Sequence, residues 1–341
     1  MPRKTKQNII TSPELLGRVN PKNTQLIDDF LSYLKSIQRS DTTRTAYKND
    51  LEIWACWNLQ HNDNKFFCDM SKRNVVAYQN WLLNENQNSP ARVRRLRSTL
   101  SALGNYIEAV LDDEFPDYRN IINKIPAPVN EPVREKTVFT DEQLTTLLDV
   151  LMGKGQYQKA CALALAMCSG ARKSELTRFK VSYFVQENII YESLYKTPEK
   201  IKTKGRGVNG KMLNKYILSA EFQPYFDAWL TERERLGINS EWLLVSKNRD
   251  DEWVQMKPDT LNSWAITFSN ILGVDFYWHS LRHFFTTHLS TKLNVPDGII
   301  KSIVGWANVS MVEIYKDVDE DEEIGKYFGD QDDRPEFGLF K

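Results

Sequence analysis

PAPVNEPVREKTVFTDEQLTTLLDVL, residues 126–151, divides the chain in two. Pro126, Pro128 and Pro132 prevent a helix from continuing, because proline lacks an N–H and its ring clashes with the preceding turn. Charged residues replace the apolar period around them, which predicts an interdomain linker over residues 123–137. Thr140 followed by Gln143 then matches a capping box ahead of Leu144, Leu147, Leu148 and Leu151. A helix, and with it a second domain over residues 138–320, starts there. Length agrees, since 341 residues at about 150 per domain leave room for two cores.

Working back from the linker, residues 25–122 predict a bundle of four or five helices. Leu26, Ile27, Phe30, Leu31 and Leu34 fall at three-and-four spacing and build one apolar stripe. Further helical stretches are expected at 42–59, 71–84 and 90–111. Residues 1–24 carry Arg3, Lys4, Lys6, Arg18 and Lys22 without an apolar period, as a loose basic arm would. Working forward, helical patterning through 157–167 gives way to segments rich in aromatic and branched residues at 183–185, 189–194 and 215–218. These predict a small antiparallel sheet. Between the last two, KTPEKIKTKGRGVNGK (196–211) has the glycines and lysines of a turn or flexible hairpin tip. Helical character is expected from Ala220 onward, with a tail over 321–341. The fold class is therefore mainly α, a helical bundle followed by a mostly helical domain with a small antiparallel sheet.

Composition narrows the function classes. Charged residues make up 26% of the chain and 45 basic side chains balance 45 acidic ones, as in a soluble globular protein. No apolar run reaches the roughly 18 residues of a membrane span, and the first residues lack a secretory apolar stretch. A cytoplasmic, nucleoid-associated protein is expected, with no membrane partner. Cys56, Cys68, Cys161 and Cys168 form no C-x-x-C pair and read as reduced core thiols.

Zero net charge is an average, and local patches decide the partner. SPARVRRLRSTLSAL (89–103) gathers Arg92, Arg94, Arg95 and Arg97 around one side of a helix while Val93, Leu96, Leu100 and Leu103 occupy the other. Guanidinium groups so placed suit phosphates and guanine edges, although a solvated face is the plain alternative. Arg44 and Lys48, one turn apart on an earlier helix, add a second contact surface. Lys196, Lys200, Lys202, Lys204, Arg206, Lys211 and Lys215 crowd the predicted hairpin, and a polyanion would offset their mutual repulsion.

Three separated segments carry candidate chemistry. In CSGARKSEL (168–176) Gly170 ends one helix and Arg172 sits in the turn before the next, beside a helix N-terminus that favours anions. In WHSLRHFFTTHLS (278–290), His279, Arg282 and His283 share a helix face at three-and-four spacing. In VGWANVSMVEIYKDV (304–318), Ser310 and Glu313 fit a capping box that places Tyr315 in the second turn of a short helix. Singly, each has a structural reading: an arginine bracing a turn, core histidines, a packed tyrosine.

Together and in this order the three segments resemble the tyrosine recombinases, the phage-integrase family of site-specific DNA recombinases. The likeness runs from about Thr137 to Lys316, with a weaker one in TTRTAYKNDL and SPARVRRLRSTLSAL, which look like the family's core-DNA-binding helices in a SAM-like bundle. It implies that Arg172 and Arg282 clamp the nonbridging oxygens of the scissile phosphate, that His279 assists proton transfer, and that Tyr315 is the nucleophile. Trp306 falls where many members have histidine; its indole donates one hydrogen bond and cannot titrate. The family's mobile hairpin lysine is matched by Lys204, with Lys202 and Lys211 close by. No cofactor and no metal are implied, since the arginines supply the charge that a metal supplies in other phosphoryl-transfer sites. The implied partners are double-stranded DNA with specific recombination sites, three further copies of this chain docked through the 321–341 tail, and accessory DNA-bending proteins. Integration or excision of a mobile element is the leading expectation. Chromosome-dimer resolution on the same active site, a topoisomerase of related chemistry, and a non-catalytic DNA-binding protein on this fold are the alternatives.

Overall fold

A computed structural model describes residues 10–129, 138–203 and 210–315, and the side chains of these except 313–315. Contacts divide the chain into two compact units, whose described residues are 10–129 with Gly210 in one and 138–203 with 211–315 in the other. Helix dominates both. Among the described residues no helix is long and apolar enough to cross a membrane.

The first unit contains α1 (Pro13–Leu16), α2 (Pro21–Ser36), α3 (Asp41–His61), α4 (Lys72–Asn80) and α5 (Pro90–Val110). Short side chains start these helices: Ser40, Ser71 and Ser89 each accept a backbone N–H of the first turn, and Pro90 sits where its missing donor costs nothing. α4 runs into a π-helical turn, Trp81–Glu85. The apolar stripes meet around Phe30, Trp54, Trp57, Phe67 and Tyr78, all fully buried. The expected basic arm is revised here. α1 is helical, Val19 packs into the core and α2 begins at Pro21, while residues 1–9 lie outside the described residues. The first half of the expected linker is likewise tied down, through Pro126 and Pro128 as acceptors for α5 arginines.

The second unit opens on α6 (Asp141–Gly153), whose capping box forms as the spacing predicts: Gln143 N–H donates to Thr140 Oγ1 at 3.2 Å and Thr140 N–H to Gln143 Oε1 at 3.1 Å. α7 (Tyr157–Ser169) is nearly all alanine, leucine and cysteine from Ala160 to Cys168 and is buried almost all round, so it becomes the central post. α6, α9 (Ser219–Arg235) and α11 (Ser280–Thr287) pack on it. α8 (Lys173–Leu176) follows after a sharp turn, and α10 (Thr260–Leu272), α12 (Asp297–Val304) and α13 (Ser310–Tyr315) complete the helices.

The sheet region differs from expectation in detail. β1 (Ile189–Ile190), β2 (Leu194–Lys196) and β5 (Tyr216–Leu218) form an antiparallel sheet in the order β1-β2-β5. The intervening lysine-rich stretch is not merely a tip: β3 (Ile201–Thr203) and β4 (Lys211–Leu213) pair antiparallel as its stem. Residues 183–185 form no strand, because a 3-10 turn at Val181–Tyr183 instead turns Tyr183 and Phe184 into the aromatic core with Phe179. Nor is the chain purely helical after Ala220, for β6 (Val245–Lys247) and β7 (Trp253–Gln255) form a hairpin. The four cysteines are free, and burial pushes the Cys161 and Cys168 thiols well above their ordinary value.

Candidate active site

Arg172 owes its place to Gly170. The glycine adopts φ +56°, a left-handed conformation that reverses the chain at the end of α7, and a Cβ there would sit 2.5 Å from the Phe285 ring. Arg172 then caps α8, with Glu175 folded back beneath it. Glu175 accepts the Arg172 backbone N–H at 3.1 Å and Arg172 Nη1 at 2.9 Å, and its carboxylate also pairs with Lys215 Nζ at 2.7 Å. Glu175 and Lys215 are fully buried, whereas the Arg172 side chain keeps 24% of its surface open. α8 is a single turn, so the anion preference of this corner rests on the guanidinium more than on a helix dipole as the sequence had suggested.

Arg282 is a different kind of arginine. It is 1% exposed, and its Nη1 and Nη2 donate to Gly170 O at 2.8 Å and Val304 O at 3.0 Å. One guanidinium therefore ties the C-terminal end of α7, two residues before Arg172, to that of α12, two residues before Trp306. Its charge also lies over the Trp306 ring, 5.0 Å from the centroid. Of the expected shared face, His279 and His283 come together and Arg282 departs. His279 caps α11 and is exposed, Arg282 points inward, and His283 stands edge-on to His279 with ring centroids 5.8 Å apart.

The hairpin stem is seated on the same corner. Arg178, just past α8, donates through Nη1 to the Lys202 carbonyl, and Leu213 of β4 covers Gly305 so closely that it leaves no room for a Cβ there. Lys204, the residue after β3, lies outside the described residues. α13 is anchored by Val312, buried with Phe285, Val304 and Trp306. Tyr315 is the last residue of α13. Ser310 is the first residue of that helix, and the Glu313 side chain on which the expected capping box depends lies outside the described residues.

Sequence reasoning missed Lys215 and Glu175. Burial pulls the Lys215 ammonium below the ordinary lysine range against the pull of Glu175, and the charges of Arg282 and Arg172 act in the same direction as burial. Burial would raise the Glu175 carboxyl, but Lys215 and Arg172 outweigh it and hold it below its usual value.

In the first unit the proposed DNA-facing residues separate. Arg92 and Arg95 grip the buried Asp50 at 2.8 and 3.2 Å, Arg44 pairs with Asp41, and Lys48 lies 3.7 Å from Glu52. Arg94 remains exposed. Arg97 does not belong to this surface: it is buried, donating to Gln79 and to the carbonyls of Ile122, Ile125 and Pro126.

A model of the phage integrase family matches residues 137–322, more than half of the chain. The chain belongs to this family. It is a tyrosine recombinase, a site-specific DNA strand transferase. Among curated family relatives it is 27% identical to the SPbeta prophage-derived recombinase-like protein YomM of Bacillus subtilis (strain 168), over 84% of each chain. It is 23% identical to the tyrosine recombinase XerC of Caldanaerobacter subterraneus subsp. tengcongensis, over 88% of this chain and 84% of that one. The family fold is also that of the Tn1549 transposon integrase in complex with circular intermediate DNA, with a TM-score of 0.64 at 14% identity over 88% and 98% of the two chains. A lambda integrase tetramer bound to a Holliday junction matches with a TM-score of 0.62 at 16% identity, over 86% and 77%.

Proposed function

We propose that this recombinase integrates or excises a mobile element, cutting one DNA strand at a time through a 3′-phosphotyrosyl link to Tyr315. The observation that carries the reading is the knot made by Arg282, whose hydrogen bonds to Gly170 and Val304 join the Arg172 turn to the Trp306 turn. The stem leading to Lys204 and the helix ending in Tyr315 are anchored on that knot.

In this mechanism the Tyr315 phenol loses its proton and its oxygen attacks the phosphorus. Free tyrosine titrates at about 10, so cationic neighbours are needed to make the phenolate available near neutrality. Arg172 meets a nonbridging oxygen directly, Arg282 adds its charge from the buried side, and both stabilise the phosphorane. His279 assists proton transfer, and Trp306 holds Arg282 and cannot itself carry a proton. The bond to the 5′-oxygen breaks, and Lys204 protonates the leaving oxygen. The phosphotyrosyl link conserves the energy of the broken ester, so a second 5′-hydroxyl reverses the step without a nucleotide cofactor. Arg44, Lys48, Arg92, Arg94 and Arg95 contact the DNA, and four copies assemble on paired sites through the 321–341 tail.

The prophage origin in the name of the 27%-identical relative supports the mobile-element role. The XerC likeness supports a second reading, chromosome-dimer resolution. A suicide substrate made from the DNA flanking the gene tests the chemistry: a covalent adduct is expected, lost in Tyr315→Phe, and an adduct that survives this change overturns the assignment. Repeats bounding a mobile element in that flanking DNA are expected, and efficient recombination only at a chromosomal dimer-resolution site would favour the second reading.

A further inference from the structure

Lys215 occupies a seat that nothing in the mechanism above requires. Its N–H donates to Thr197 Oγ1 at 3.0 Å, its carbonyl accepts from Thr197 N–H at 3.0 Å, and the neighbouring Asn214 Nδ2 donates to Thr197 O at 2.6 Å. The backbone so pinned aims the ammonium inward at Glu175, 2.7 Å away, and leaves only 1% of the side chain exposed. Glu175 thus holds two cations at once, Lys215 from within the protein and Arg172 from the open side.

A buried ion pair generally stabilises a fold no better than an apolar pair of the same volume. The fold alone gives no reason for this one, but the charge of the site does. Without Lys215, the Glu175 carboxylate would cancel much of the Arg172 charge. With it, Arg172, Arg282, Lys215 and Glu175 together carry two positive charges. A phosphodiester attacked by a phenolate carries two negative ones. We propose that Lys215 is a positioning residue for Arg172: it neutralises Glu175 from the interior, so that Glu175 braces the Arg172 backbone and guanidinium while the arginine's charge stays available to the scissile phosphate. This rests on the reading of Arg172 as a ligand of that phosphate.

The test is single-turnover cleavage of the suicide substrate by the full chain, with DNA affinity measured separately by gel shift. Lys215→Met is expected to slow cleavage by about 100-fold, the scale of losing one preorganised electrostatic contact, while affinity changes less than about threefold. Adding Glu175→Gln removes the uncompensated carboxylate and restores the charge balance, so Lys215→Met/Glu175→Gln is expected to cleave at least about tenfold faster than Lys215→Met alone. A Lys215→Met variant that cleaves at the wild-type rate overturns the proposal. So does a double variant no faster than the single one, the outcome expected if Lys215 donated a proton to the leaving oxygen. Should Lys215→Met fail to fold, the double variant, which buries a neutral pair, is compared with wild type directly. Cleavage within about tenfold of wild type supports the proposal, and a folded double variant slower by about 100-fold or more overturns it. If wild type itself forms no Tyr315-dependent adduct, the catalytic reading fails first; if it does and the double variant shows no recovery, only the Lys215 inference fails.

Discussion

The guanidinium of Arg282 lies over the ring of Trp306 at 5.0 Å from its centroid, with both residues almost wholly buried. The indole is therefore a wall of the arginine's seat, and it packs at the same time against Phe285, Leu289, Val304 and Val312. Trp306→Ala removes the aromatic face and leaves a cavity, which is expected to cost about 3–5 kcal/mol in urea unfolding. Trp306→Phe keeps an aromatic face and should cost less than about half as much. An alanine variant within about 1 kcal/mol of wild type would show that this wall bears no weight.

Gly170→Ala should be severe for two independent reasons. Its φ of +56° penalises any side chain by about 1–2 kcal/mol, and the new methyl would press on Phe285 at 2.5 Å. The Tm is expected to fall, and the variant to cleave the suicide substrate more slowly even where it is folded, because Arg172 stands two residues beyond the turn. Unchanged unfolding and cleavage would contradict the role given to this glycine.

Acid should act on the Glu175 cluster with a definite sign. Burial pushes this carboxyl up, but Lys215 and Arg172 prevail and hold it below its ordinary value. A group more acidic in the folded state than in the unfolded one adds stability that is complete above the unfolded value of about 4.3 and is lost as pH falls through the folded value. Urea midpoints of wild type and Glu175→Gln, followed from about pH 6 to about pH 3, are expected to converge as the pH drops. Parallel curves would mean that Glu175 does not titrate with folding.

How much of this was legible beforehand varies with the locality of the signal. The start of the second unit was readable because a cap is a contact between neighbours, as at Thr140 and Gln143. The Gly170 turn was readable for the same reason. Tyr183 and Phe184 misled, since aromatic residues mark a buried turn as well as they mark a strand, and only long-range packing decides. Arg282 was recognised by its motif, yet its inward course depends on carbonyls 112 and 22 residues away. Lys215 looked like one of seven basic residues in a solvated hairpin. Strand alternation held the missing signal, because Lys215 and Ile217 lie two apart on the buried side of the β5 segment while Tyr216 does not. Its partner Glu175, 40 positions earlier, could not be paired with it from spacing.

Arg94 and Arg97, three residues apart on α5, should respond oppositely to alanine. The Arg97 guanidinium satisfies the carbonyls of Ile122, Ile125 and Pro126, which cannot all find new donors when it is removed. Arg97→Ala is expected to lose about 3 kcal/mol of stability in urea unfolding, since each stranded buried acceptor costs about 1 kcal/mol or more. Arg94 is exposed, and its hydrogen bond to Pro128 O can be taken over by water. Arg94→Ala should stay within about 0.5 kcal/mol of wild type in stability while weakening DNA binding and reducing the slope of log affinity against log salt by about 1. The salt slope is the deciding measurement. If Arg97→Ala lowers it in protein that remains fully folded, the buried arginine reaches the backbone of the duplex after all. If Arg94→Ala leaves it unchanged, this face of α5 carries no phosphate, and the DNA surface must be sought on other elements of the first unit.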